Sequence, residues 1–397
     1  MSRLWDKGEP LDDRILRYTA GEDHWLDERL VTYDVRASIA HATMLHEQRL
    51  LSADDLNDIV NGLDELEQEH AAGDWEISLA DEDVHTALEH RLTKRIGEAG
   101  KRIHLGRSRN DQVLAALRLY LLDAADNLES GALAVADALD ELAGREGDTE
   151  LPGYTHMQQA MPSSVSLWSA GFAAEIRDDA DAIAASRRRI SKNPLGSAAG
   201  YGAPGLPIDR EQTRDALGFD SVHEPVTAVQ ISRGKAEAGL VFELCVLTQD
   251  LGRLAADLLM FYTQEFAYVD LPDSMTTGSS IMPQKRNPDV LELVRGATGT
   301  LQGCLVEILG ITAKLGSGYQ RDTQRLKAPL FRAVDLTVDS CAIMEHLLGG
   351  VGFIAENILL DPGIHAAGRA NRLVLEEGLS FRDAYRRVAE ELAGENE

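Results

Sequence analysis

Aromatic side chains are scarce, 5% of 397 residues, while the hydrophobic fraction reaches 44% and is rich in alanine and leucine. Sheets favour aromatic and β-branched residues, so this balance argues against a mainly β protein and suits long packed helices. Cysteine is nearly missing. Cys245, Cys304 and Cys341 have no C-x-x-C spacing, and they read as buried free thiols of a reducing compartment. No uninterrupted apolar run reaches the roughly 20 residues that a membrane span needs. The segment Met1 to Arg14 carries charges where a secretory signal would need an apolar core. These absences lead to the expectation of a soluble, cytoplasmic protein.

Basic residues are also short: 39 Lys and Arg stand against 66 Asp and Glu, a formal charge of −27. Nucleic acid and anionic membrane surfaces would be repelled, so neither is expected as a partner. The acidic residues, among them Asp54, Asp55, Asp58, Asp64, Glu65 and Glu67, are spread over predicted helix faces and form no tail. They read as a solvated surface. A sharper alternative is a high-salt habitat, where ions screen the self-repulsion. A melting temperature that failed to rise between low and molar salt would dismiss that alternative.

The chain is long enough for two or three domains, and neither an internal repeat nor a low-complexity segment is visible. Short helices are expected from Tyr33 to about Gly97, one capped by Ser52 with Leu56, Ile59, Leu63 and Leu66 at helical spacing. Five longer helices follow. The first runs from near Asn110 to near Gly144, with Val113, Leu117, Tyr120, Leu121, Ala124 and Leu128 on one face. The others run from Ser163 to about Ile190, from Gly234 to Phe266, from Pro288 to about Leu315 and from Thr323 to Leu348, with Pro329 kinking the last or delaying its start. Five such helices with broad apolar faces imply an all-α elongated bundle. The Gly- and Pro-rich stretch from Asn193 to Pro207 lacks Gly-Lys-Ser/Thr and reads as a connecting loop.

Three short polar segments carry chemistry. Thr277-Gly278-Ser279-Ser280-Ile281-Met282-Pro283-Gln284-Lys285-Arg286-Asn287-Pro288-Asp289 places paired serines, an ammonium and an amide on a loop before a long helix. Lys285 and Asn287 are suited to holding a carboxylate, although a solvated helix entry capped near Asn287 would look the same. Gly153-Tyr154-Thr155-His156-Met157-Gln158-Gln159-Ala160-Met161-Pro162 offers a histidine able to move protons at neutral pH, or a merely structural one. Gly106-Arg107-Ser108-Arg109-Asn110-Asp111-Gln112 gathers donors at a helix start, which makes either an anion site or a plain cap. Other chemistries are poorly served. His46-Glu47 lacks the second histidine of H-E-x-x-H, and neither a G-x-S-x-G elbow nor a Walker loop occurs. What remains is acid–base work on an anionic substrate.

Together the three segments resemble the aspartase/fumarase superfamily, whose signature loop G-S-S-x-M-P-x-K-x-N-P is carried whole between Gly278 and Pro288. Within it, G-R-S-R-N-D-Q, G-Y-T-H-x-Q and S-S-I-M-P-Q-K-R-N-P-D look like the argininosuccinate lyase family, from about Tyr33 through the fifth long helix. That resemblance implies β-elimination to arginine and fumarate without metal, nucleotide or organic cofactor. It implies Ser279 as catalytic base, His156 as second acid–base group, Glu292 as the carboxylate orienting that histidine, and Lys285 as a stabiliser of the charge that develops. Lys285 and Asn287 would hold the fumarate portion. Ser108, Arg109, Asn110 and Thr155 would bind carboxylates, with Asp83, His85, Ser280 and Met282 also at the substrate. Tyr319, Gln324 and Lys327, in Tyr-x4-Gln-x2-Lys spacing, would face the arginine end with Arg233.

The resemblance further implies a homotetramer whose sites are shared between subunits, and three parts: residues 1–105, a central bundle over 106–350, and a short helical end over 351–397. Departures fall on the amine side. The family's S-x-D-A-x-S-x-R-D is Pro225 to Lys235 here, with Gly234 after Arg233, and Arg325 and Leu326 replace an acidic pair after Gln324. Trp5-Asp6-Lys7-Gly8 only loosely matches W-G-G-R-F. Two alternatives stay open: a lyase releasing fumarate from another amine, such as adenylosuccinate, and a non-catalytic, crystallin-like protein.

Overall fold

The computed structural model describes residues 12–395, so the expectations drawn from Trp5-Asp6-Lys7-Gly8 and the first eleven residues lie outside the described residues. Helix dominates, and the class is all-α as expected. The five long helices are Arg109–Glu146, Val165–Ile190, Lys235–Phe261, Asp289–Thr312 and Lys327–Gly350. Proline sets two of the starts. Pro288 immediately precedes Asp289, and Asp289 and Glu292 place negative charge in the first turn, where the helix dipole favours it. Pro329 lies in the first turn of its helix, where the missing N–H goes unnoticed, and a 3-10 stretch over Arg321–Leu326 leads in. Ser52 caps Ala53–Ala71 by accepting the Asp55 N–H at 3.1 Å, and Ile59, Leu63 and Leu66 are buried. All three cysteines are buried and in no disulfide.

The chain divides into two compact units. One holds the described residues through Glu129 with Ala182–Cys245 and Thr300–Asp335. Its short helices Val31–Glu47, Ala53–Ala71 and Val84–Ile96 close over Met44, Leu45, Ile59, Leu63 and Leu92. Tyr120 meets Tyr33 and Phe331 edge-on at 5.8 and 5.0 Å, and the Arg29 guanidinium lies 4.5 Å from the Phe331 ring while donating to both Asp335 oxygens at 2.9 and 3.0 Å. Gly234 has φ +82, and a Cβ there would meet Thr312 Cγ2 at 2.5 Å, so the third and fourth long helices require glycine at this approach.

The other unit holds Ser130–Asp181, Val246–Gly299 and Leu336 onward. Trp168 packs against Phe172, Phe261 and Phe353, with its indole donating to Asp257 at 3.0 Å. A two-stranded antiparallel ribbon, β1 (Glu150–Thr155) and β2 (Gln158–Ser164), departs from the expectation, because the second long helix starts at Val165 and not at Ser163. Its strands contain Pro152 opposite Pro162 and lack both apolar alternation and an Asn-Gly turn. That is why periodicity does not reveal it. The helices Ala366–Glu377 and Phe381–Glu395 pair around Ala370, Ala384 and Val388.

Candidate active site

The signature segment folds into a closed loop. Thr277 and Asn287 exchange backbone hydrogen bonds of 3.0 and 2.8 Å, and the Asn287 side-chain amide donates to the Gly278 carbonyl at 3.3 Å. Arg286 anchors the loop from outside through Asp270 (3.1 Å), Asp273 (2.8 Å) and the Leu271 carbonyl. Within it, Ser279 Oγ accepts the N–H groups of Met282 at 3.2 Å and Ile281 at 3.4 Å. Two amide dipoles aimed at one hydroxyl oxygen favour negative charge there, the condition a serine must meet to act as a base. Ser280, Met282 and Lys285 are exposed, and Ile281 at the tip is 82% exposed, so the loop is accessible in the chain.

His156 stands at the tip of the β1–β2 ribbon. Thr155 pairs with Gln158, so His156 and Met157 form a two-residue turn, and both have positive φ, 53 and 59. These are the angles of a type I′ turn, normally given to Asn-Gly. Histidine is an uncommon choice at such φ, and its imidazole is exposed there next to exposed Thr155. One pair below the tip, where Gln159 faces Tyr154, Gln159 donates to the Leu359 carbonyl at 2.9 Å and accepts the Asp361 N–H at 2.8 Å. Glu292 is exposed in the first turn of Asp289–Thr312.

The remaining expected residues lie in the first unit. Asp83 caps Val84–Ile96 by accepting the Thr86 N–H at 3.0 Å, and it pairs with Arg109 Nε at 2.9 Å. Burial works to raise its carboxyl, but Arg109, His85 and the Thr86 donors outweigh that and hold it below the usual range. Arg109 also donates to Thr86 Oγ1 at 2.8 Å, so its charge already has a carboxylate within the chain. His85 Nδ1 sits 2.7 Å from Asp34, and its buried Nε2 has no protein partner. Burial opposes protonation of His85, yet the Asp34 carboxylate overrides it and raises the imidazole's pKa. Ser108, Arg109 and Asn110 are half-buried at the start of the first long helix, where the Ser108 hydroxyl accepts the Asn110 N–H at 3.4 Å.

The four residues expected at the arginine end fall into two groups. Lys327 is buried between Asp23 (2.9 Å) and Asp27 (2.5 Å), and Gln324 donates to the carbonyls of Thr19 and Ala20 at 2.9 and 3.0 Å. Two carboxylates share one ammonium here. Burial therefore pushes Asp23 up to about 7 against the pull of Lys327, whose own pKa is raised by the pair. Arg233 and Tyr319 instead line a common cavity of about 270 Å³. Reading the sequence passes over Asp34, Asp23 and Asp27, which orient expected residues without belonging to any motif, and over Asp111, which stands inside one.

A lyase family model matches residues 16–303. The chain is 45% identical over 393 residues to the argininosuccinate lyase of Sorangium cellulosum, covering 98% of this chain and 91% of that protein. It is 41% identical over 389 residues to the argininosuccinate lyase of Parabacteroides distasonis, covering 97% and 86%. Among solved structures, an EDDS lyase in complex with formate superposes with a TM-score of 0.80 at 25% identity, over 96% of this chain and 76% of that one.

Proposed function

Because the chain belongs to the argininosuccinate lyase family, we propose that it cleaves argininosuccinate by β-elimination to arginine and fumarate. The observation that carries the chemistry is the Ser279 hydroxyl, whose oxygen accepts two backbone amides on an accessible loop. Ser279 as base removes the proton from the carbon beside a carboxylate of the succinate portion. The electron pair spreads onto that carboxylate, and the Lys285 ammonium and neighbouring donors stabilise the resulting charge where it develops. His156 protonates the departing guanidino nitrogen as the carbon–nitrogen bond breaks, with Glu292 orienting the imidazole. Ser108, Asn110 and Thr155 hold carboxylates of the substrate, and Asn287, Ser280 and Met282 shape the loop that closes on it. Asp83 keeps Arg109 in place beside His85, whose unpartnered Nε2 supplies a further donor.

The assembly belongs to the same proposal. Residues of all three motifs meet in a homotetramer, each site drawing on several subunits. Large apolar side chains exposed on long helices, among them Phe242, Leu293 and Val306, support burial against further copies. A sedimentation mass equal to one chain would contradict it. Three buried cysteines outside any disulfide support a cytoplasmic setting, and no described helix is long and apolar enough to cross a membrane. The direct test supplies purified protein with argininosuccinate and, separately, adenylosuccinate. Fumarate should appear from the first and not from the second.

A further inference from the structure

Glu82 is only 3% exposed and has φ +68. Across it the Asp83 N–H donates to the Asp81 carbonyl at 2.9 Å, so Glu82 is the central residue of a three-residue γ-turn in its positive-φ form, which is rare. Glycine or asparagine would adopt such φ more readily. A glutamate that is both buried and so placed points to a use for its side chain.

The carboxylates on either side serve their own surroundings. Asp81 accepts the N–H and the hydroxyl of Ser78 at 3.1 and 2.8 Å and pairs with Arg91 at 3.2 Å. Asp83 caps Val84–Ile96 and pairs with Arg109 Nε. Glu82 reaches further: its Oε2 lies 3.7 Å from Arg109 Nη1 and 3.5 Å from Arg321 Nη2. These are ion-pair separations, and burial on the Glu82 side leaves the attraction little screened. Arg109 belongs to the Gly106–Gln112 segment, and Arg321 stands between Tyr319 and Gln324. Arg321 also donates to the Thr19 carbonyl at 2.8 Å and to Gln324 Oε1 at 2.9 Å. One carboxylate thus joins two segments that are far apart in sequence and both expected at the substrate.

We propose that Glu82 is a positioning residue for the reaction: its carboxylate, shared by Arg109 and Arg321, holds the helix start that displays Ser108, Arg109 and Asn110 in register with the segment that carries Tyr319 and Gln324. The role rests on the argininosuccinate reading and adds to it a residue too buried to touch the substrate itself.

The test measures steady-state kinetics with argininosuccinate, well below the melting temperature, for Glu82→Gln, Glu82→Gly, Arg321→Met and the double variant Glu82→Gln with Arg321→Met. Glu82→Gln removes the charge alone. Glu82→Gly removes the side chain and suits the turn, so it should fold even if Glu82→Gln does not. Each single variant should lose about tenfold or more in kcat/KM, chiefly through KM, since small displacements of positioning groups cost up to about 10²-fold. The double variant should lose no more than about threefold beyond the worse single one, as expected of groups that act through one contact. A residue that only stabilises the fold would shift the melting temperature and leave kcat/KM unchanged. Glu82→Gly at wild-type kcat/KM, or losses that multiply in the double variant, would overturn the role while the functional reading stands. Wild-type protein that releases no fumarate from argininosuccinate would instead bring down that reading, and the role with it.

Discussion

The carboxylate of Asp111 holds the backbone of Gly196: its Oδ2 accepts the Gly196 N–H at 3.0 Å and that of Ala198 at 2.8 Å, while Oδ1 accepts Ser108's at 2.8 Å. One buried side chain thus ties the Gly-rich loop to the start of the first long helix, where Ser108, Arg109 and Asn110 are displayed. Burial pushes Asp111 up to about 6 against these three donors and Arg107. Asp111→Ala would strand three amides and should lower stability by about 3–5 kcal/mol, read from denaturant melts. Steady-state kinetics should show KM rising more than kcat falls. Unchanged stability and KM would show that the loop holds itself.

Lys327 tests the buried triad. Lys327→Met leaves Asp23 and Asp27 facing one another without a counter-charge, and removing one partner of such a pair typically destabilises by about 3–5 kcal/mol. The loss should ease as pH falls, because the raised carboxyl of Asp23, up to about 7 in the native chain, takes up a proton more readily when the ammonium is gone. Adding Asp27→Asn should restore part of the stability. A double variant no better than the single one would mean that the lysine's packing, not its charge, matters.

His41 sets a pH dependence of the opposite sign. Burial depresses its imidazole to about 3, with Arg107 and His104 adding to the fall and the contact with the Leu105 carbonyl opposing it. A depressed histidine lends stability above its unfolded value of 6.5, and that contribution disappears as pH falls from there towards about 3. The expected slope is about 1.4 kcal/mol per pH unit for one site. Urea midpoints measured from neutral to mildly acid pH should therefore fall more steeply for wild type than for His41→Gln. Parallel curves would place the acid sensitivity elsewhere.

At the ribbon tip the fold and the chemistry can be separated. Asparagine accepts positive φ more readily than histidine, so His156→Asn should leave the β1–β2 turn and the melting temperature intact or slightly improved. Turnover should nevertheless fall by about 10²–10⁴-fold, the scale of a positioned proton-transfer group. Normal turnover in a well-folded variant would remove His156 from the reaction.

The long helices were legible because apolar spacing and Pro288 mark them locally, and Ser52 announces its cap. The ribbon was not, because Pro152, Pro162 and a His-Met turn carry none of the usual strand signals. Site residues divide in the same way. Ser279 and His156 stand in short motifs, and their local geometry follows from the neighbouring few residues. By contrast, the pairing of Asp83 with Arg109 or of Asp34 with His85 joins positions far apart in sequence, which no local pattern encodes. Residues 193–207 read as a connection and are one, yet Asp111 makes that connection part of the motif's support.

The proposed mechanism rests most on Ser279, and Ser279→Ala tests it most directly. With argininosuccinate, fumarate formation should fall by at least about 10²–10⁴-fold while substrate binding, followed by calorimetry, stays close to wild type. A variant that still binds and still turns over at a near-normal rate would contradict the account.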